Sequence, residues 1–172
     1  MNNNVENSNV AEMMSKVFLE EVKEEELELV HRMQVESFMP LYEKYHDECS
    51  PAIEPLDKIK ARAAVVNRKY FFIIKDGARV GVINLGNNDP NEKELSFISP
   101  LFILPKYWNQ GIGYAAIQKA FEMYPKVKTW KLETILQEKG NCHLYEKCGF
   151  VRVGGEEIVN DKMTLIMYEL QK

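Results

Sequence analysis

The stretch ILPKYWNQGIGYAAIQKAF, residues 103 to 121, holds the residues of this chain best suited to receive a charged ligand. An apolar run reaches Pro105, crosses a short polar segment and meets Gly111-Ile112-Gly113 at the head of a helix-like pattern. A helix N-terminus carries unpaired N–H donors and the positive end of the helix dipole, and glycine removes the β-carbon that would hold a ligand away. Phosphate oxygens could therefore approach the backbone of Asn109, Gln110, Gly111, Ile112, Gly113 and Tyr114 without any basic side chain.

Three readings compete here. One is a helix start that happens to be rich in glycine. A second is a dinucleotide fingerprint, since Gly111 to Ala116 satisfies G-x-G-x-x-G/A and Glu133 stands about twenty residues on, where a ribose-binding acid would be. Its context is wrong, because Pro105 to Gln110 separate the strand from the first glycine and strand pairs follow instead of repeated βα units. A P-loop is excluded, because no Gly-Lys-Ser/Thr closes the loop. The third reading depends on a second motif, NCHLYEKCGF, residues 141 to 150.

The elements that must position these residues are legible in outline. Residues 1–15 read as a polar, Asn-rich lead-in and 16–172 as one domain, its first strand at 16–22. Residues 24–46 have an acidic first turn and apolar Leu27, Val30 and Met33 at helical spacing, with Pro40 expected to break or kink the helix. A second helix is expected over 50–67, with Leu56, Ile59, Ala63 and Val66 on one face. In KYFFIIKDGARVGVINL two β-rich runs flank Asp76-Gly77, the pair that a two-residue hairpin turn favours. A polar loop (86–93) leads to the strand 94–104, where Pro100 calls for a bulge or an unpaired side. A helix (111–123), a strand (127–136), a short helix (141–149) with Gly149 as its terminator and a closing hairpin complete the order β-α-α-β-β-β-α-β-α-β-β.

Composition narrows the class of function. The formal charge of -4 lacks the basic footprint of a nucleic-acid binder and suits a cationic acceptor such as an amine. Three cysteines without a CxxC pair, and His31, His46 and His143 at no ligand spacing, signal neither disulfide framework nor metal site. No signal peptide and no stretch of membrane-spanning length is visible, so a cytoplasmic protein without membrane association is expected.

From residue 94 onward the chain resembles the GNAT superfamily of acyl-CoA-dependent N-acetyltransferases. FILPKYWNQGIGYAA is similar to that family's strand, proline and Q/R-x-x-G-x-G/A loop, and NCHLYEKCGF to its late helix ending Tyr-x-Lys-x-Gly-Phe. The separation of the two motifs, and VKTWKLETIL between them, agree as well; the family's Gln or Arg falls here on Trp108. The resemblance implies an α/β (α+β) fold with a mixed, mostly antiparallel central sheet flanked by helices in a single domain. It also implies acetyl-CoA as cosubstrate, no metal, a small-molecule or peptide amine as acceptor, and a monomer or homodimer.

By resemblance, the pantetheine arm would lie beside the strand Pro100 to Ile103, with Phe102, Ile103 and Leu104 among its contacts, and Tyr145 would give a proton to the coenzyme sulfur. A phenol, with a reference pKa of about 10, keeps that proton at neutral pH. For the base that takes the amine's proton, Glu94 and Glu133 both stand on the apolar strands and both remain open. Asn141 either bonds the cofactor arm or caps its helix. His143 reads as an ordinary helix residue, and neither Cys142 nor Cys148 has a basic cluster to make it nucleophilic. The other functions left standing are a CoA-binding module without catalysis and, behind it, a dinucleotide-binding protein.

Overall fold

The computed structural model describes Glu12 and residues 16–172, so the lead-in expected over 1–15 lies, apart from Glu12, outside the described residues. β1 (Val17–Glu21) is followed by a 3-10 turn, Glu24–Glu26, and then by α1 (Leu27–Tyr45). α1 runs on through Pro40, contrary to the expected break. Pro40 faces solvent, where water can satisfy the carbonyl that loses its partner.

The segment expected as one helix over 50–67 divides in two. Ser50 Oγ accepts from the Ala52 N–H and starts a 3-10 turn, Pro51–Ile53; α2 then covers only Leu56–Ala63. Leu56, Ile59 and Ala63 pack inward as expected, whereas Val66 lies beyond the helix and is 85% exposed.

β2 (Arg68–Lys75) and β3 (Ala78–Gly86) form the hairpin, with positive φ at both Asp76 (51°) and Gly77 (77°), as its tight turn requires. β4 (Leu95–Ile103) leads through a 3-10 turn, Pro105–Tyr107, to α3 (Ile112–Met123); β5 (Thr129–Ile135), α4 (Lys139–Lys147), β6 (Val151–Ile158) and β7 (Thr164–Gln171) complete the domain.

The strands form one seven-stranded sheet in the order β1-β2-β3-β4-β5-β7-β6. Every neighbouring pair is antiparallel except β4 and β5. α1 and α2 cover one face, where Val30, Met33 and Ile59 meet Tyr70, Phe72, Val82 and Phe102. α3 and α4 cover the other, where Ile112, Ile117, Phe121 and Tyr145 meet Ile83, Trp130, Leu132 and Ile166. Phe121 and Trp130 centre this second layer, with ring centroids 5.1 Å apart. No described helix is long and apolar enough to cross a membrane.

The one parallel contact is short. β4 and β5 pair only at Leu95–Thr129, Ser96–Trp130 and Phe97–Lys131, after which the two strands no longer pair. From Ile98 onward β4 pairs only with β3, and past Lys131 β5 pairs only with β7. A gap therefore opens in the middle of the sheet, at the end where β4 runs towards α3.

Candidate active site

The proline expected to disturb β4 does so. Leu101 pairs with Ile83 but Ile98 pairs with Leu85, so Ser99 and Pro100 bulge opposite Asn84 at the start of the gap. Beyond the bulge, Leu104 N–H donates to the Val80 carbonyl at 2.9 Å. The alternation of an antiparallel ladder then directs Phe102 to β3, and the Phe102 carbonyl lies so close to Gly81 that a β-carbon there would collide with it. The same alternation turns the main-chain groups of Leu101 and Ile103 towards the gap.

This corrects part of the expected arm-binding set. Phe102 and Leu104 bury their side chains under α1 and α2 and spend main-chain groups on β3. Leu101 and Ile103, both within the expected stretch Pro100 to Ile103, are the residues whose N–H groups face the gap. Which residues of that stretch do so depends on the register of the bulge, which cannot be counted from sequence.

At the end of β4 the chain turns into the glycine loop. Trp108, the residue that departs from the family pattern, folds back so that its indole Nε1 donates to the Ile103 carbonyl at 2.6 Å. That bond ties the loop to the strand it leaves. Asn109 and Gly111 both have positive φ, 59° and 72°, and Gly111 is the residue immediately before α3. Within α3 the first helical bond is Ala115 N–H to the Gly111 carbonyl. No N–H from Asn109 to Tyr114 has a protein acceptor among the described residues. Six consecutive donors thus face outward at the positive end of a helix.

The two glycines differ in purpose. Gly111 is needed for its left-handed backbone. Gly113 is packed closely, since a β-carbon there would stand 3.0 Å from Leu144 Cδ2 on α4. Two lysines that sequence reasoning passed over flank the loop: Lys75 Nζ donates to Gln110 Oε1 at 2.8 Å, and Lys147 Nζ lies 5.2 Å from the Tyr114 ring centroid.

Tyr145 is buried on the α3/α4 face, its ring 6.2 Å from Phe150 and 6.0 Å from Tyr168. Burial first, and then Cys148 and Cys142, raise its pKa, against which the Thr134 hydroxyl acts through a hydrogen bond. Thr134 lies on the part of β5 that borders the gap, so the phenol is held there fully protonated at neutral pH. Burial also pushes the Cys148 thiol up to about 11, which leaves it inert as a nucleophile.

The two candidate bases separate cleanly. Glu94 precedes β4 at the closed end; its carbonyl accepts from Lys128 and Thr129, and its exposed carboxylate stands 2.6 Å from Lys128 Nζ. Nine residues of strand, roughly 30 Å, lie between it and the glycine loop. The structure thus corrects the expectation for Glu94, which is a surface ion pair. Glu133 lies on β5 beside the gap, and strand alternation puts it on the face opposite Leu132 and Thr134, the side of α1 and α2. Loss of hydration first, and the Glu157 carboxylate second, raise its pKa. Tyr145 and Glu133 therefore flank the gap from opposite faces of the sheet.

Asn141 is exposed within the first turn of α4, whose N-cap is Glu138, so the capping alternative falls away. Glu138 also anchors α1, because Tyr45 Oη and Lys44 Nζ both donate to its Oε1 at 2.6 Å, and Asn160 Nδ2 donates to the Tyr45 carbonyl. These bonds carry the C-terminal end of α1 across from β4 to the far side of the gap. Under α1 lies a partly buried polar network that no motif announced. Gln34 Nε2 donates to Glu54, Glu54 pairs with Arg62, and Arg62 donates to Tyr70 Oη at 2.7 Å. No group of three or more His, Cys, Asp or Glu among the described residues could hold a metal ion.

A strand that leaves its parallel neighbour, a bulge at the point of divergence and a helix whose bare N-terminus follows the freed strand end together form the candidate site. The sequence profile of the acetyltransferase (GNAT) family matches residues 27–150, and the chain belongs to that family.

Among solved structures, an acetyltransferase from Thermus thermophilus is similar with a TM-score of 0.70 at 18% identity, over 91% of this chain and 97% of that one. The ribosomal-protein-S18-alanine N-acetyltransferase from Escherichia coli gives 0.70 at 14% identity, over 90% and 93%. Spermidine N-acetyltransferase from Vibrio cholerae, solved with CoA and spermine, gives 0.69 at 16% identity, over 91% and 96%. At these identities the likeness is one of fold. No curated protein sequence matches the chain.

Proposed function

We propose that the protein is an N-acetyltransferase that moves an acetyl group from acetyl-CoA directly to a primary amine. The observation that carries this reading is the run of six unpaired N–H groups, Asn109 to Tyr114, continuous with a strand whose gap-facing N–H groups are also free. Pyrophosphate oxygens need clustered donors in the first place, and amides of an extended arm need strand-like partners in the second.

When bound, acetyl-CoA supplies an acetyl group already activated as a thioester. The chain's residues do the rest. The head of α3 holds the pyrophosphate, with Lys75 and Lys147 beside it as weaker, screened charges. Leu101 and Ile103 bond the arm through the main chain, and Asn141 offers an exposed side-chain amide at the head of α4. Tyr145 keeps its proton at neutral pH, because burial raises its pKa, and gives it to the departing sulfur. Glu133, on the opposite face, takes the proton of the attacking amine, directly or through a water, and its raised pKa brings it nearer to the working pH.

Thiol release from acetyl-CoA against an amine panel, beside calorimetric binding of CoA, tests the reading. Turnover that falls in Tyr145→Phe while acetyl-CoA binding persists supports it. Binding with no turnover on any amine would make the protein a CoA-binding module, and stabilisation by NAD in place of CoA would restore the dinucleotide reading.

A further inference from the structure

The acceptor side of the gap carries a cation that no carboxylate among the described residues neutralises. Arg68 opens β2 two residues before Tyr70, which faces α1 and α2, so Arg68 shares that face. Its guanidinium reaches across β3 to the bulge of β4: Nη1 donates to Asn84 Oδ1 at 2.9 Å and to the Ser99 carbonyl at 3.4 Å, and Nε donates to Asn88 Oδ1 at 2.8 Å. All three partners are neutral oxygens, and Nη2 has no acceptor among the described residues. The neighbouring arginine, Arg62, is by contrast matched by Glu54.

Asn84 adds a second donor. An arginine can only donate, so Asn84 must turn Oδ1 towards it and direct its amide nitrogen elsewhere. That nitrogen is buried with no partner, on a residue that is 0% exposed. Two adjacent groups at the bulge are thus rich in N–H and short of acceptors. The bulge marks the point where the sheet opens, and Glu133, the base of the proposed reaction, lies on this same face and makes no ion pair among the described residues. A polycation would meet an unneutralised guanidinium here, which repels it.

We propose that Arg68 is a specificity residue that binds the carboxylate of the acceptor, so that the substrate is an amine also bearing a carboxylate, of the amino-acid or peptide-terminus kind, and not a polyamine. Nη2 of Arg68 and Nδ2 of Asn84 supply the donors, while Asn88 and the Ser99 carbonyl fix the guanidinium plane. This rests on the acetyltransferase reading above.

The test compares matched acceptors: lysine with cadaverine, phenylalanine with phenethylamine, and an alanyl dipeptide with its C-terminal amide, with spermidine alongside. Thiol release from acetyl-CoA gives kcat/KM for each. The wild type is expected to favour the carboxylate-bearing member by about 10- to 100-fold, the worth of hydrogen bonds to a charged group. Arg68→Gln should erase that preference while leaving the CoA affinity within about twofold, and Arg68→Lys should retain part of it. Should Arg68→Gln fail to fold, Asn88→Ala, which only loosens the guanidinium, should lower the preference instead. Turnover of cadaverine or spermidine equal to or above that of the carboxylate-bearing acceptors overturns the proposal and leaves the acetyltransferase reading standing. CoA binding without turnover of any acceptor overturns both.

Discussion

The two sides of the gap are built differently. The α3/α4 side offers main chain: six unpaired N–H groups at a helix start, and the gap-facing N–H groups of Leu101 and Ile103. The α1/α2 side offers side chains: Arg68, Asn84, Glu133 and the Gln34–Glu54–Arg62–Tyr70 network. Main-chain recognition constrains the sequence to glycine and a fixed spacing, which leaves a motif. Side-chain recognition draws residues from α1, α2, β2, β3 and β5, and leaves none. A cofactor common to a family can be served by the first; an acceptor particular to one protein needs the second.

The largest effect expected on the main-chain side comes from Gly111→Asp. It loads a left-handed position and sets a carboxylate among the six donors, so calorimetric CoA affinity should fall by at least about 100-fold while far-UV circular dichroism stays unchanged. Tyr145→Phe should come next, lowering kcat by about 10²- to 10³-fold with KM for acetyl-CoA nearly constant. Equal losses in both would make Tyr145 a packing residue only. Trp108→Phe removes one hydrogen bond, to the Ile103 carbonyl, and should weaken CoA binding by about fivefold, the net worth of such a bond.

On the side-chain side, Glu157→Gln should move the acidic limb of the kcat profile to lower pH. Removing a like charge lets Glu133 lose its proton more readily, so the active, deprotonated base persists further into acid. The displacement should stay under about one pH unit, because hydration loss, the larger cause, is untouched. The smallest effect belongs to Glu94→Ala, whose activity should match the wild type within about twofold, as expected of an exposed ion pair at the closed end of β4 and β5.

What the sequence disclosed follows the same division. The Asp76-Gly77 turn, the glycine loop, the Gly149 terminator and the disturbance at Pro100 were all legible, because each is a local backbone demand that only a few residue types meet. The strand and helix order was legible too. Several features were not. That α1 runs on through Pro40 was not legible, because a proline's effect depends on whether its freed carbonyl reaches water. Glu94 and Glu133 looked alike as carboxylates on apolar strands, and only the short β4–β5 ladder decides which of them borders the gap. Trp108 was known only as a departure from a pattern until its indole was found on the Ile103 carbonyl. Arg68 gave no signal at all, since its meaning lies in which oxygens surround it.

The central claim is that the N–H groups of Asn109 to Tyr114 hold the pyrophosphate. Amide NMR spectra of the ¹⁵N-labelled protein, titrated with CoA and separately with pantetheine, which lacks the pyrophosphate, address it directly. The account predicts that CoA shifts the six amides from Asn109 to Tyr114 most strongly and that pantetheine leaves them in place. CoA binding that shifts amides elsewhere and leaves those six unmoved would contradict it.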